Sequence, residues 1–168
     1  MTDSERHRLS LIIATLGPST DNEKELITML MAGIARQWTD GVDIARVLHS
    51  DGEDLARQRI DTFREQSKKR NLSTSVYLDT DGSDMDSYLA LIPTLMSGQV
   101  QSREENFEIG HTLEEGFDLV ALYQETAHGP YAARSVKCID EISVESEKLR
   151  VNPFQDTLDK FLSFFKKK

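Results

Sequence analysis

Arg46 is the first residue whose type and position suggest chemistry. It lies in the stretch DIARVLHSDG, residues 43–52, where an apolar run carries one guanidinium and then stops at a Ser-Asp-Gly turn. A guanidinium keeps its charge at physiological pH and presents forked donors that match phosphate or carboxylate oxygens. The stretch therefore predicts an anion-binding residue at position 46, or the remnant of one.

A second group of chemically capable side chains is the acidic stretch VYLDTDGSDMDS, residues 76–87. The simplest interpretation is a solvated acidic turn that follows a strand. The stretch does not fit a calcium-binding EF-hand loop, because Asp84 stands where that loop needs glycine and Ala90 where it needs glutamate. The adjacent residues 49–51, His-Ser-Asp, do not predict a catalytic triad, since triads are assembled from distant segments.

Four short apolar runs predict the strands that would position these side chains. The runs cover residues 9–17, 42–48, 73–80 and 117–124. Most of them are continuous and do not alternate with polar residues, which is typical of strands covered on both faces. Segments with helical spacing separate the strands, and the connections are short. This alternation predicts one parallel sheet with helices packed against it.

Sequence signals for helix starts follow the strands. They are Thr20 with Glu23, Ser50 or Asp51, and Ser102 with Glu105. The helix after the second strand is expected to end near Arg70 and Asn71. Pro130 is well placed as the first residue of a later helix that runs to about Leu149. A last helix is predicted to open at 152–153, with an apolar stripe formed by Phe154, Leu158, Phe161, Leu162 and Phe165.

Length and composition restrict the domain count, the partners and the location of the protein. The chain has 168 residues, a net charge of −9 and one cysteine. That length predicts a single domain over residues 1–168, and the acidic balance argues against nucleic acid as a partner. The single Cys138 excludes an internal disulfide. Because no segment has the form of a signal peptide or of a membrane span, we expect a cytoplasmic protein without a membrane partner.

Several of these stretches, taken in order, resemble the first part of pyruvate kinase. IIATLGPST (12–20) is similar to that family's first strand and turn, and GVDIARVLHSDG (41–52) resembles its second strand and loop. Residues 59–82 resemble the following helix and third strand, and EEGFDLVALYQE (114–125) is similar to the fourth strand. The resemblance covers about residues 9–126. It implies a partial (β/α)8 barrel, with the linker 85–101 too short to hold the family's lid domain.

The resemblance also implies which residues once formed a site. Arg46 matches the family's phosphoryl-contacting arginine. Ser50, Asp79 and Thr80 match residues that help to hold a potassium ion, and Gly17 belongs to the turn on the same rim. The resemblance therefore implies anion binding by Arg46, Gly17 and Ser50, and a vestigial potassium site at Ser50, Asp79 and Thr80.

Other positions depart from the family's pattern. Leu48 stands where the family has a potassium-binding asparagine, and Asp51 where it has a histidine. Asp81 replaces a lysine, and Asp86 replaces the family's second arginine. Nothing in the sequence matches the magnesium ligands or the catalytic lysine convincingly. Because phosphoryl transfer depends on dense positive charge around the moving group, we expect no self-sufficient pyruvate kinase activity.

Three functions follow from these observations. The first is a catalytically degenerate, pyruvate-kinase-like module that binds a small phosphorylated ligand or another protein, without an assured cofactor. The second is a residual phosphotransferase that works with a partner subunit and uses potassium or magnesium. The third is a haloacid-dehalogenase-like phosphatase, in which Asp79 would attack phosphorus and Asp81 would act as acid and base.

The four predicted strands are half of those needed to close an eight-stranded barrel, so the sheet would remain open. We expect the first and fourth strands to expose unpaired edges and the inner face to be uncovered. The sheet would then open and flatten as in a doubly wound fold, or two chains would pair as a homodimer that closes a barrel. In either arrangement the carboxyl ends of the strands place Gly17, Arg46, Ser50, Asp79 and Thr80 on one rim.

Overall fold

A computed structural model of the chain describes residues 8, 10–33, 41–80, 96–97, 102–114 and 119–147. Its strands are β1 (Leu11–Thr15), β2 (Ile44–Leu48), β3 (Ser75–Asp79) and β4 (Leu119–Leu122). The strands form one parallel sheet in the order β3-β2-β1-β4. This arrangement confirms the predicted α/β class, with four parallel strands and flanking helices.

The helices connect the strands in the predicted alternation. They are α1 (Glu23–Leu30), α2 (Glu53–Lys69), α3 (Arg103–Glu114), the short α4 (Gln124–Ala127) and α5, which covers residues 132–147. Two single turns of 3-10 helix, Pro18–Thr20 and His49–Asp51, follow β1 and β2. No helix of the described ranges is long and apolar enough to cross a membrane.

The four longer helices pack on the same face of the sheet. One alternation of strand residues, which includes Ile12, Ala14, Ala45 and Val47, forms a single buried cluster with apolar side chains of α1, α2, α3 and α5. The opposite alternation contains Leu11, Tyr77 and Leu119, which are 41%, 51% and 51% exposed. Among the described residues the four longer helices cover only one face, and the short α4 covers the rim end of the other, where Ala127 packs against Leu48. In this respect the sheet resembles an arc of a barrel more than a doubly wound sheet.

The position of β4 differs from the expectation for a half-barrel. The strand pairs with β1, and α5 then packs back towards the start of β1. Contacts at that end include Arg8 Nε to Asp140 Oδ1 at 3.1 Å and Ser10 N to Glu147 Oε1 at 2.8 Å. Within the described residues the sheet edges are therefore β3 and β4. The expectation that β1 is an edge is wrong, because β4 covers it.

Helix capping follows the sequence signals in one place out of three. Ser102 and Glu105 form the predicted reciprocal box, with Ser102 N donating to Glu105 Oε2 at 2.7 Å and Glu105 N to Ser102 Oγ at 3.1 Å. Thr20 does not cap α1, since Asn22 Oδ1 accepts from the first turn instead. The prediction that residue 50 or 51 caps α2 is also wrong, because that helix begins after Gly52, at φ 95°.

Other helix ends agree with the sequence more closely. Helix α2 ends at Lys69, and Asn71 adopts a φ of 56°, as expected where a helix stops. Pro130 lies in the turn just before α5 and is not its first residue. The predicted last helix, the end near Leu149 and nearly all of the linker 85–101 lie outside the described residues.

Candidate functional site

The carboxyl ends of the four strands form one rim, which is the edge where parallel α/β folds bind ligands. Four segments build it, and we refer to them together as the rim. They are residues 15–22, 46–54, 79–80 and 122–127. The residues predicted for the anion and potassium sites, Gly17, Arg46, Ser50, Asp79 and Thr80, all lie in these segments, whereas position 81 is outside the described residues.

Arg46 and Asp79 are in direct contact at the centre of this rim. The register of β2 and β3 places Leu48 opposite Asp79, on the same face of the sheet as Arg46. The Arg46 side chain therefore extends along its strand towards the rim. Its Nε donates to Asp79 Oδ2 at 3.0 Å, and its Nη2 donates to the same oxygen. Both residues are buried.

Two further groups hold the Arg46 guanidinium in place. Nη1 donates to Thr15 Oγ1 on β1 at 3.4 Å. On another side, the guanidinium carbon lies 4.5 Å from the centroid of the Tyr123 ring, a distance typical of a cation–π contact. The residue is only 3% exposed, so an anion would have to compete with Asp79 and enter a closed environment.

Gly17 is fixed by its neighbours on the β1 side of the rim. Its N–H donates to Thr20 Oγ1 at 3.0 Å, and the Thr20 hydroxyl donates back to the Gly17 carbonyl. A Cβ at position 17 would lie 2.6 Å from the carbonyl oxygen of Ala127 in α4. The glycine is therefore required by close packing of two backbones. The amide that the resemblance implies for anion binding already has an acceptor.

Ser50 and Thr80 lie at the ends of β2 and β3 and are exposed. The vestigial potassium site at Ser50, Asp79 and Thr80 stays a prediction. Among the described residues there is no group of three or more His, Cys, Asp or Glu side chains arranged to hold a metal ion. The acids at positions 81, 84 and 86 are not part of the described chain.

Arg59 is a second buried arginine of this region, and the sequence reasoning did not single it out. Its Nε and Nη2 donate to the two Asp21 oxygens at 2.6 and 2.9 Å, and Nη1 donates to Asp51. The hydrogen bond with Asp21 is the largest cause of a raised pKa at Arg59. The pair of bridges ties the turn after β1 to the turn after β2.

The β4 side of the rim is closed by hydroxyl groups. Thr15 N donates to Thr126 Oγ1 at 2.9 Å, and Thr15 Oγ1 donates to the carbonyl of Leu122 at 3.0 Å. Glu125 is 1% exposed, and its Oε2 accepts from Tyr123 N at 3.2 Å. Tyr123 and Glu125 fall inside the stretch that resembles pyruvate kinase, yet only three-dimensional packing brings them to the rim centre.

Acidic side chains outnumber basic ones in the described rim segments. The acids are Asp21, Asp51, Glu53, Asp54, Asp79 and Glu125, and the bases with a permanent charge are Arg46 and the adjoining Arg59. Each arginine is held by at least one carboxylate. Since a phosphoryl site needs excess positive charge, this balance favours a structural role for the two guanidinium groups.

A separate groove of about 400 Å³ lies between α3 and α5, away from the rim. Its lining includes Phe107, which is 74% exposed, and Cys138. Burial raises the pKa of the Cys138 thiol to about 11. A thiol in this state is a poor nucleophile at neutral pH, so the groove offers no reactive cysteine.

Comparison with known protein families and with curated proteins adds no relative to this description. No model of a known protein family matches the chain, and no curated protein matches it. The candidate site is therefore defined by its own geometry.

Proposed function

We propose that the chain is a pyruvate-kinase-like module that has lost phosphoryl transfer and works by binding another protein. The observation that carries the proposal is the open face of the sheet, which we define by Leu11, Tyr77 and Leu119. Those large apolar side chains are 41–51% exposed on one face, while the opposite face is packed with helices. An apolar surface of this kind is typical of interaction sites.

The engagement of the Arg46 guanidinium at the rim supports the same proposal. Catalysis of phosphoryl transfer requires positive groups that are available to the moving phosphate and to its metal ions. The Arg46 guanidinium is engaged by Asp79 and Thr15 and covered by Tyr123. We therefore expect no turnover in a lactate-dehydrogenase-coupled assay with magnesium, potassium, phosphoenolpyruvate and ADP. Turnover above background by the purified chain contradicts the loss of transfer.

The open face is tested by site-specific labelling. Cysteine is introduced at position 77 or 119 in a Cys138→Ser background, and each dilute chain is treated with a bulky maleimide. At concentrations low enough to keep the chain monomeric, we expect fast labelling at both positions, and no labelling of the matched control Ala14→Cys, which lies on the buried face of β1. Protection of both test positions in a monomeric chain contradicts the proposal, because the chain would then cover its own sheet.

Binding of a small phosphorylated anion is the second candidate, and the position of Arg46 favours it. Arg46 lies at the rim end of β2, and its Nε and Nη2 groups already donate to the Asp79 carboxylate, as they would to a carboxylate ligand. Releasing the guanidinium should then create a binding site. We expect Asp79→Asn to gain thermal stabilisation by phosphate or phosphoenolpyruvate, and the added change Arg46→Ala to abolish it. An equal lack of stabilisation in both variants excludes this candidate.

The phosphatase alternative depends on a reactive Asp79. In this geometry Asp79 Oδ2 accepts two N–H groups of Arg46, which lowers its availability as a nucleophile. Magnesium-dependent hydrolysis of p-nitrophenyl phosphate that Asp79→Asn abolishes would restore this alternative in place of the binding module.

A further inference from the structure

The two edges of the described sheet carry apolar side chains that remain exposed. On the β3 edge, Tyr77 and Leu78 point to opposite faces and are 51% and 43% exposed. On the β4 edge, Leu119 is 51% exposed. Within the described residues no strand pairs with these edges, and an edge strand presents backbone N–H and C=O groups for pairing with another strand.

We propose that the partner of the open face is a second copy of this chain, with β3 of each copy pairing to β4 of the other. The inference rests on the proposed function, since it names the partner of the same surface. It describes an isologous contact around a two-fold axis that runs along the strands, in which the β3–β4 pair occurs twice. The product is a closed barrel of eight strands, four from each copy.

The direction of the strands permits this closure. All described strands run parallel, so a two-fold axis along them keeps every strand of the dimer parallel. All four longer helices of each copy lie on one face, which becomes the outside of the barrel. The open face then becomes the interior, where (β/α)8 barrels hold layers of apolar side chains. A doubly wound sheet, with helices on both faces, could not close in this way.

The exposed apolar side chains lie where the closure would bury them. In the paired barrel, Tyr77 of one copy lies across the new strand pair from the partner's Leu119, and Leu11 faces the interior. The side chains at positions 11, 77 and 119 each expose roughly 100 Å², if a large side chain buries 150–250 Å² in full. Two copies would remove roughly 600 Å² from these side chains, and the paired backbones and outer helices would supply the rest of the 1,200–2,000 Å² that a stable interface needs.

Charges on the outer helices are complementary across the same contact. One side of α2 faces α1, through the bonds of Arg59 with Asp21 and of Gln66 with Glu23. Helical spacing therefore places a mainly basic stripe on the side of α2 towards the β3 edge. The stripe is formed by Arg57, Asp61, Arg64 and Lys68, all exposed and three of them basic, and Arg57 is paired with Glu53 one turn before it.

Helix α3 presents the opposite charge at the β4 edge. Asn106 and Gly110 of this helix face α5, through the Cys138 thiol and the close approach of Ser146. The side turned away from α5 carries Glu105 and Glu108. In the closed barrel this acidic side of α3 lies beside the basic stripe of the partner's α2. Such complementarity fixes the register of a contact and disfavours other arrangements.

The oligomeric state of the full chain is the first test. We expect sedimentation equilibrium to give twice the 19.0-kDa chain mass. Leu78→Asp and Leu119→Asp should each halve that mass, because each places a charge in the new strand pair. Phe107→Asp is the matched control, since it puts the same charge on an exposed apolar residue of the α3/α5 groove, on the side of α3 that faces α5 and not the partner. Dissociation by the control alone overturns the proposal, as it assigns the interface to the groove.

Cysteine cross-linking tests the pairing itself without relying on destabilising charges. Tyr77 and Leu119 of one copy are separated by three strand spacings, about 14 Å across the sheet, and by four residue positions along the strands, too far for a disulfide bond. A Tyr77→Cys chain mixed with a Leu119→Cys chain, both in the Cys138→Ser background, should give a covalent heterodimer on oxidation. Each variant alone should give none. Cross-linking of either variant with itself overturns the β3–β4 pairing.

The experiments separate a failure of this inference from a failure of the proposed function. A monomeric full chain whose cysteines at 77 and 119 are labelled rapidly overturns the pairing but leaves the open face available to a different protein. A monomer in which both positions are protected overturns the pairing and the proposed function together. A dimer of unchanged mass in all the charged edge variants also overturns the pairing.

Discussion

Arg46 and Asp79 connect β2 to β3 through two N–H donors on a single carboxylate oxygen, in a setting where both side chains are buried. Burial gives this pair a large influence on stability. Removing one partner leaves the other charged group desolvated and uncompensated, whereas removing both leaves an apolar site. Removing either residue alone should therefore lower the stability of the fold strongly, whichever ligand the rim binds.

We first predict that Asp79→Ala lowers the free energy of unfolding by about 3–5 kcal/mol, as breaking a buried pair does. Urea unfolding at neutral pH measures the change. The double variant Arg46→Met with Asp79→Leu should lose much less, because no charge is left buried. Arg57→Ala breaks an exposed pair with Glu53 and serves as the control, with a loss of about 0.3–0.5 kcal/mol. A loss for Asp79→Ala no larger than the control value would contradict the buried pair.

The second prediction concerns Arg59, which joins the turns after β1 and β2. Arg59→Met should lower the free energy of unfolding by about 1–2 kcal/mol, since bonds to charged groups are lost but solvent screens the partly exposed Asp21 and Asp51. The raised pKa of Arg59 keeps it charged in the folded state. Neutral pH lies far below the ordinary pKa of arginine, so the stabilisation that Arg59 provides is fully present there. The loss caused by Arg59→Met should therefore be constant across neutral pH. A loss that varies strongly between weakly acidic and weakly basic buffers would refute this account.

The third prediction is steric. Gly17→Ala should lower the free energy of unfolding by about 1–3 kcal/mol, because the new Cβ would lie 2.6 Å from the Ala127 carbonyl oxygen. Ser50→Ala is the control on the same rim, where the side chain is exposed, and should change stability by no more than about 0.5 kcal/mol. Thermal unfolding of the two variants side by side measures the difference. Equal stabilities would mean that α4 does not pack against this turn.

Local sequence patterns predict the existence and type of the helices and strands, because the formation of a helix or a strand depends largely on neighbouring residues. The capping box of Ser102 and Glu105 spans three positions and forms as expected. The start of α1 offers several cap residues in a row, and Thr20 is already engaged by the neighbouring Gly17, so Asn22 caps the helix instead. A pattern that considers one cap residue at a time does not resolve this local competition.

The candidate site is harder to predict because its contacts join distant segments. Arg46 and Asp79 were both expected on the rim, but their direct pairing depends on the register of β2 and β3. The sequence alone shows Arg59 as an ordinary helix residue, because its bond with Asp21 forms only when the turn after β1 packs against α2. The place of β4 next to β1 depends likewise on the packing of α5, which a resemblance of single strands does not specify.

The last prediction concerns the alkaline limb of stability. Burial raises the pKa of the Cys138 thiol from 9.0 to about 11, because the thiolate is disfavoured inside the protein. The unfolded chain releases this proton at a lower pH than the folded one, so the stabilisation is complete below pH 9 and is lost as the pH rises towards 11. The free energy of unfolding should fall more steeply over this window in the wild type than in Cys138→Ala. Thiolate absorbance of the native chain should show a midpoint of about 11. A native midpoint near 9, or parallel stability curves for the two proteins, would show that the thiol is not buried between α3 and α5.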